Sequence, residues 1–446
     1  MKKVIKATLM GASVLALAST AFAADINVNI YGASAQNKFW NDYAEVFLTS
    51  PAGMGCDTAE KGFSVNSSKR GITVGHNCSE NGGDDVYIRY TANKSVEGPR
   101  AVMNLDPQEN DSCITGAPSA DGERLMADWT DTNANGVMEA TEIGDSCMDI
   151  QVGASDVASE AFTQESHGWE NGTYDMTQFD EILNPATIPG VAEIGTAYQP
   201  IIVPFSFFAN TSLNVDHINR QQAVLLMSGN VYNWNQFGSD YPNKKVVVCM
   251  RHAGSGTHAT LDKAVMREDR LLPTNQKVNV PPFVRSPSIM FHTSSSNLMD
   301  CVDDNGGYAT TGAGAIGYAD SDKAIDYLTT GGDEIVDDRY INTKRLAYNG
   351  GGEGMTAANF ADYGYSALKN EIINGSYEFW AAQWIYIDQS QEDQSTIDTV
   401  AAMMSFAADS ANMVCDPANG LERGCYWSAG SELNVIKDDD STVPYF

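Results

Sequence analysis

The chain is poor in basic residues: 27 Lys and Arg face 58 Asp and Glu among 446 residues, a formal net charge of −31. A surface this acidic excludes nucleic acid and anionic lipid as partners, because both demand a cationic face. Histidine is scarce as well, six in all, and none stands in a His-Glu-x-x-His arrangement. That removes the helical zinc-hydrolase motif. No two cysteines stand at CxxC spacing, so neither a dithiol redox motif nor a haem attachment site is present. Beyond the first residues, no apolar run reaches the about 18 positions that a membrane-crossing helix requires. No Ser-His-Asp arrangement in a fixed motif and no two-metal carboxylate cluster is legible, which argues against an enzyme.

What is present begins with a leader. Lys2, Lys3 and Lys6 precede the apolar stretch from Leu9 to Ala18, and Ala21-Phe22-Ala23 supplies a small-x-small cleavage sequence. Residues 1–23 therefore read as a secretory signal, with no cysteine at the cleavage point to carry a lipid. The expected location is periplasmic or secreted. Eight cysteines, an even number in an exported chain, predict disulfides. Pairing between neighbours gives Cys56–Cys78, Cys113–Cys147, Cys249–Cys301 and Cys415–Cys425, one of many connectivities that eight cysteines allow.

Three segments share one design, a strand running through a turn of small residues towards a helix. The apolar run Val246 to Met250 leads into Arg251-His252-Ala253-Gly254-Ser255-Gly256-Thr257, and Leu261 to Met266 reads as helix. A helix start leaves N–H groups unpaired and carries partial positive charge, which suits an anion. Glycines allow close backbone approach, and arginine adds a planar fork for an oxyanion. The alternative is an ordinary tight turn with Arg251 in a structural ion pair. His252 and His258, which flank the glycines, read as packing or solvated groups. The second unit is Ile26 to Tyr31, followed by Gly32-Ala33-Ser34-Ala35-Gln36 and a helix from Phe39 to Phe47. The third is Met148 to Val152 followed by Gly153-Ala154-Ser155-Asp156. A further helix is predicted at Gln221 to Met227 and a strand at Tyr198 to Phe205. Strands alternating with helices predict α/β layers with ligand loops at the carboxyl ends of the strands.

Between Asn104 and Cys147 the texture turns polar, and this insertion carries a second motif. Asp131, Asn133, Asn135, Gly136 and Glu142 match the calcium-loop spacing without a mismatch. Calcium takes oxygen ligands: the side chains at 131, 133 and 135, the Val137 carbonyl, Glu139 directly or through water, and Glu142 with both oxygens. Gly136 permits the sharp turn. Arg124 to Trp129 is expected to form a helix upstream, giving a lone EF-hand-like or dockerin-like loop of structural rather than signalling role. Two asparagines lower the ligand charge, so an affinity of about 10⁻⁴ to 10⁻³ M is expected. The acidic run Asp438-Asp439-Asp440 reads as a solvated face.

Taken in order, the three turns resemble those of the phosphate-binding proteins of ABC transporters, within the type 2 periplasmic binding proteins. Residues 32–36 resemble their first anion loop, 153–156 their G-A-S-D segment, and 251–257 their R-x-D-G-S-G-T turn. Ser228 to Trp234, Gly314 to Tyr318 and Asn374 to Tyr377 add shorter echoes in the same order, covering most of the mature chain apart from the insertions. The resemblance implies an α/β fold, a two-lobed clamshell with a mixed sheet flanked by helices in each lobe. Residues 24–205 form the first lobe, with the insertion at 104–147. Residues 206–380 form the second, and 381–446 return to the first. It implies capture of phosphate or a related small oxyanion by Arg251, Ser255, Gly256, Thr257, Ser34, Ala35, Gln36 and Ser95, and delivery to an ABC permease. Asp156 would discriminate, since a carboxylate accepts a hydrogen bond only from a protonated oxygen, which hydrogen phosphate has and sulfate lacks. Two departures stand out. Gln36-Asn37 replaces the family's Thr-Phe, and Ala253 replaces the aspartate beside the arginine. The competing readings are a phosphate-ester hydrolase with the same pocket, and a secreted structural or adhesive protein.

Overall fold

The computed structural model describes residues 24–107, 113, 123–166, 168–170, 177–179, 183–267, 271–273, 288–307, 312–323, 325–328, 334–349, 365–387, 393–419, 421, 423–437, 440, 444 and 445. The leader sequence and parts of the polar insertion lie outside them. Two mixed sheets with helices carry the fold. In the first, Ile26–Ala33 lies between Val86–Asn93 and Val152–Ser155, parallel to both. The antiparallel hairpin Cys56–Ser64 and Ser67–Cys78 extends one edge, and Trp384–Ile387 with Thr196–Tyr198 extends the other.

The second sheet runs Ser288–His292, Lys245–Arg251, Ala313–Asp320, Ile201–Asn210, Thr343–Arg345. Its first three strands are mutually parallel, and Ile201–Asn210 runs antiparallel to both of its neighbours, Ala313–Asp320 and Thr343–Arg345. All ten residues of Ile201–Asn210 are buried, as expected of an apolar strand covered on both faces. Trp380–Ala382 and Ser428–Ala429 pair with the start of that strand. The chain therefore passes from one sheet to the other at Gln199-Pro200 and returns at Gln383, whose N–H donates to the Ile201 carbonyl at 2.8 Å. The first crossing comes before the expected boundary at 205, because Ile201–Asn210 is a single continuous strand of the second sheet. The segment Tyr198 to Phe205, predicted as one strand, is split between the two sheets at that crossing.

Helix Asn37–Thr49 covers the first sheet with Phe39, Trp40, Tyr43, Ala44, Phe47 and Leu48 buried, a spacing that puts all six on one helical face. Phe39 stacks on Tyr43 at 4.4 Å and on Trp427 at 5.4 Å, which ties the end of the chain to its beginning. The predicted helix near Gln221 is Arg220–Met227, capped by Asn219. All four disulfides join sequence neighbours: Cys56–Cys78, Cys113–Cys147, Cys249–Cys301 and Cys415–Cys425.

Three expectations are corrected. Arg124–Trp129 is a strand, paired in full register with Ile143–Met148. Its Met126 and Ala127 are buried against other strands, and that packing outweighs a weak helical preference. The Gly153-Ala154-Ser155 segment is strand rather than turn, because it hydrogen-bonds beside Tyr31 and Gly32. Asp440 is not merely solvated, since its Oδ2 accepts from the Ala158 N–H at 2.8 Å.

Candidate anion site

Strand Lys245–Arg251 ends at a turn whose Ser255 begins helix Gly256–Thr260, and the Ser255 Oγ accepts from the His258 N–H at 3.4 Å. The turn reaches across to the first sheet. The Gly254 carbonyl accepts from the Val96 N–H at 3.4 Å. Gly256 meets Ser95 and Asp156 so closely that a Cβ there would collide with the Ser95 Oγ and the Asp156 Oδ2. Only glycine admits that approach. Ser95, Asp156 and Gly256, distant in sequence, thus form one contact.

Asp156 is buried, with 2 % of its surface exposed. Its Oδ2 accepts from the Ser95 hydroxyl at 2.9 Å, while its Oδ1 has no hydrogen-bond partner. Burial pushes this carboxyl up to about 7 and Asp320 adds to the rise; the Ser95 hydrogen bond and the Arg251 charge oppose it. An isolated carboxylate in a dry site favours its neutral form for this reason.

Arg251 is buried too. Its Nη1 donates to the Ser295 Oγ at 2.6 Å and its Nη2 to the Thr293 carbonyl at 3.1 Å, while its Nε has no partner. These bonds hold the guanidinium with no carboxylate at the neighbouring position 253, which is Ala253. Arg251 also fills buried volume and fastens its strand to the start of helix Ser295–Asp303. His252, His258 and His292 surround it, all fully buried. Desolvation first, and the Arg251 charge among other causes, drive His258 and His292 down to about 3 and His252 well below its ordinary value. All three are neutral at physiological pH. The His258 Nδ1 lies 2.6 Å from the Tyr318 hydroxyl, whose oxygen accepts from the Arg251 N–H at 3.1 Å.

The first turn contributes differently from expectation. The Ser34 hydroxyl donates to the Asn93 carbonyl, next to Lys94 and Ser95, and Ala35 is half-buried. Gln36 is fully buried and its amide bonds on both sides. The Nε2 donates to the Ser155 carbonyl at 3.0 Å, and the Oε1 accepts from the Trp40 indole at 2.8 Å. Gln36 therefore fastens a helix to a strand through its Oε1 and one of its two amide N–H groups. Thr257 is buried one residue into the helix. Sequence reasoning missed Lys94, a buried lysine whose charge acts on His252. Nothing in the Asn93-Lys94-Ser95 sequence signals burial.

The calcium-type loop is well formed at one end. Asp131 accepts from the N–H groups of Asn135 at 3.1 Å and Gly136 at 2.9 Å. Asn133 also accepts from Asn135, and the Asn135 Oδ1 accepts from the Val137 N–H. Gly136 has φ +70°, a left-handed conformation natural to glycine. The Asn135 Nδ2 donates to the Glu139 Oε1 at 3.3 Å. Glu142 instead accepts from the Thr132 N–H at 2.9 Å and its hydroxyl at 2.6 Å, which holds its carboxyl below the usual range, the hydroxyl bond being the main cause. The donor set suits calcium in kind, and both Thr132 bonds fall on the Oε1 of Glu142.

A cleft of about 750 Å³ lies beside the sheet crossing, lined by Trp380, Trp384, Lys263 and Lys437 among others. It does not include the anion turns. Its lysines are engaged, Lys437 with the Glu378 and Trp380 carbonyls and Lys263 with Asp262 and Thr163. Among the described residues, no helix is long and apolar enough to cross a membrane.

No curated protein matches the chain in sequence. Solved structures with a similar course include a putative phosphate ABC transporter substrate-binding protein with bound phosphate from Clostridium perfringens. It is 13 % identical, with 90 % of this chain and 99 % of that one covered and a TM-score of 0.45. An ABC-type phosphate transport receptor from Vibrio cholerae is 12 % identical over 90 % and 99 %, with a TM-score of 0.39. A phosphate binding protein from Stenotrophomonas maltophilia is 13 % identical over 90 % of both chains, also with a TM-score of 0.39. A family profile described as a PBP superfamily domain matches residues 169–411. That match takes in the second sheet and the return to the first, more than half of the sequence, and the chain belongs to the PBP superfamily.

Proposed function

We propose that this protein is an exported solute-binding protein that captures hydrogen phosphate, or a related protonated oxyanion, between its two sheets for an ABC permease. The observation that carries this reading is Asp156. It is buried between Ser95 and Gly256, with one carboxylate oxygen held and the other without a partner. Such an oxygen calls for a donor, and among tetrahedral oxyanions only one that keeps a proton provides it. Sulfate would leave two negative oxygens facing each other in a dry site, at a cost of several kcal/mol.

In this reading the anion enters when the turn at residues 254–257 separates from Ser95 and Asp156. Arg251 supplies charge and the N–H groups at Gly256 and Thr257 supply donors, while the Ser95 hydroxyl donates to the Asp156 Oδ2 and so holds that carboxyl towards the anion. The first turn, at Ser34 and Ala35, donates from the other lobe. Binding, not turnover, is the role in this reading, in keeping with the binding-protein superfamily to which the chain belongs, and the Ser255 hydroxyl, which accepts from the His258 N–H, keeps its own O–H to donate to the anion. The two lobes follow the sheets, with the chain crossing at Gln199-Pro200 and returning at Gln383. The loop from Asp131 to Glu142 holds calcium as a structural ion, through Asp131, Asn133, Asn135, the Val137 carbonyl, Glu139 and Glu142.

The test is a calorimetric titration of refolded, ligand-stripped protein with phosphate and then with sulfate, in calcium buffer at about pH 8.5, where the Asp156 carboxyl is ionised. Micromolar or tighter phosphate binding with no heat from sulfate is the expected result. Equal binding of both anions, or of neither, refutes the reading.

A further inference from the structure

The same strand that delivers Arg251 carries a second group of side chains that anion capture does not use. Cys249 and Cys301 are disulfide-bonded, and both are fully buried. His292 is 1 % exposed, and neither of its ring nitrogens has a hydrogen-bond partner. Both sulfurs and one of those nitrogens lie within 4.8 Å of one another. A thioether adjoins them, with the Met290 Sδ 4.0 Å from the Cys301 Sγ.

The parallel register explains the grouping. Cys249 pairs with Met290 and Arg251 with His292. Residues two apart on a strand share a face, so 249 and 251 lie beside 290 and 292. Helix Ser295–Asp303 brings Cys301 onto that face.

We propose that opening this disulfide creates a zinc(II) site formed by Cys249, Cys301 and His292, with the Met290 thioether completing the shell. A neutral imidazole buried with two idle nitrogens is an unfavourable core residue, because each unmet polar group carries a desolvation penalty. As a metal ligand it has a use, and two thiolates with an imidazole form a recurring zinc set. Tetrahedral zinc with Zn–S near about 2.3 Å needs its ligand atoms roughly 3.5 to 4 Å apart. The three donors lie within 4.8 Å of one another, and opening the S–S bond frees the two sulfurs to part to that spacing.

The chemistry balances. A dithiol reductant loses two electrons and two protons and closes to a cyclic disulfide, while Cys249 and Cys301 become thiols. Zinc(II) then displaces both thiol protons to solvent. The product is a neutral Cys2His centre, which suits a neighbourhood already holding the Arg251 cation.

Because the disulfide is fully buried, the test reduces the full mature chain in denaturant with a phosphine that leaves the metal free. The chain is then refolded without oxygen in cobalt(II), a spectroscopic stand-in for zinc. A Cys249→Ser/Cys301→Ser variant treated identically accounts for the other six thiols. The expected result is one more equivalent of cobalt in the wild type, with thiolate-to-cobalt absorption that zinc abolishes. In His292→Ala that equivalent should bind about tenfold more weakly or worse. Equal uptake by wild type and the double-serine variant overturns the proposal. If the reduced chain does not refold, Cys301→His is tested with the other three disulfides oxidised. It presents one thiolate and two imidazoles at the same place. Cobalt uptake by that variant that His292→Ala removes supports the site, and no uptake overturns it.

Discussion

Asp156→Asn isolates the group on which the functional reading depends. The wild-type carboxyl titrates near 7 in the folded chain against an ordinary 3.8. Below about pH 4 it is protonated in both folded and unfolded states and contributes nothing to pH dependence. Between those two values the folded chain keeps a proton that the unfolded chain releases, so stability falls as pH rises. At 1.36 kcal/mol for each pH unit, the penalty reaches about 4 kcal/mol by pH 8. Asparagine cannot ionise, yet its carbonyl still accepts from the Ser95 hydroxyl. Urea unfolding of both ligand-free proteins from pH 4 to pH 8 should show the variant gaining on the wild type by about that amount. Ligand choice shifts with it, because an amide, like a protonated carboxyl, donates to sulfate. Wild-type sulfate affinity should rise as pH falls below 7, while the variant should bind sulfate independently of pH. A stability difference that stays constant across the range refutes the buried, proton-holding Asp156.

Three further substitutions separate binding from scaffolding. Gly256→Ala places a methyl against Ser95 and Asp156, so phosphate affinity should drop about tenfold or more with the melting temperature nearly unchanged; unaltered affinity in calorimetry refutes the closed contact. Gln36→Ala removes two buried hydrogen bonds and should cost about 2–4 kcal/mol in urea unfolding without changing phosphate affinity. Lost affinity at intact stability would restore Gln36 to the site. Glu142→Gln should abolish the rise in melting temperature that calcium gives the wild type, and an equal rise in both proteins would move the metal elsewhere.

Much of the fold was legible because its signals are local. The run Val246-Val247-Val248 has the composition of a buried strand, and the apolar face from Phe39 to Leu48 has helical spacing. What failed to show was tertiary. Arg124 to Trp129 has no local reason to be a strand; it becomes one because Ile143–Met148 offers a partner and Ile72 and Val74 offer a surface. The candidate site divides in the same way. The glycines and Ser255 of the 251–257 turn were readable, since a strand-to-helix turn constrains them directly. The partners of Gln36 lie 4 and 119 residues away, and the distant one gives no sequence signal. Lys94 is buried within reach of His252 of the other sheet, a neighbour its own sequence does not announce.

The acidity noted at the outset bears on how any anion reaches this site. A chain of formal charge −31 repels phosphate at long range, whereas the Arg251 guanidinium, 4 % exposed, acts only after the anion has arrived. Encounter and retention should therefore respond differently to salt. At about 0.01 M ionic strength the screening length is roughly 30 Å, and the field of the whole surface opposes approach; at about 0.15 M it shrinks to roughly 8 Å. The association rate should accordingly rise several-fold over that range, while the dissociation rate from a buried site stays nearly constant. Affinity would then strengthen with added sodium chloride, the reverse of capture by a cationic face. Stopped-flow measurement of both rates, at a fixed calcium concentration, is the check. An association rate that falls with salt would mean that a local positive field at the mouth dominates, and that net charge was the wrong guide to how this chain meets its ligand.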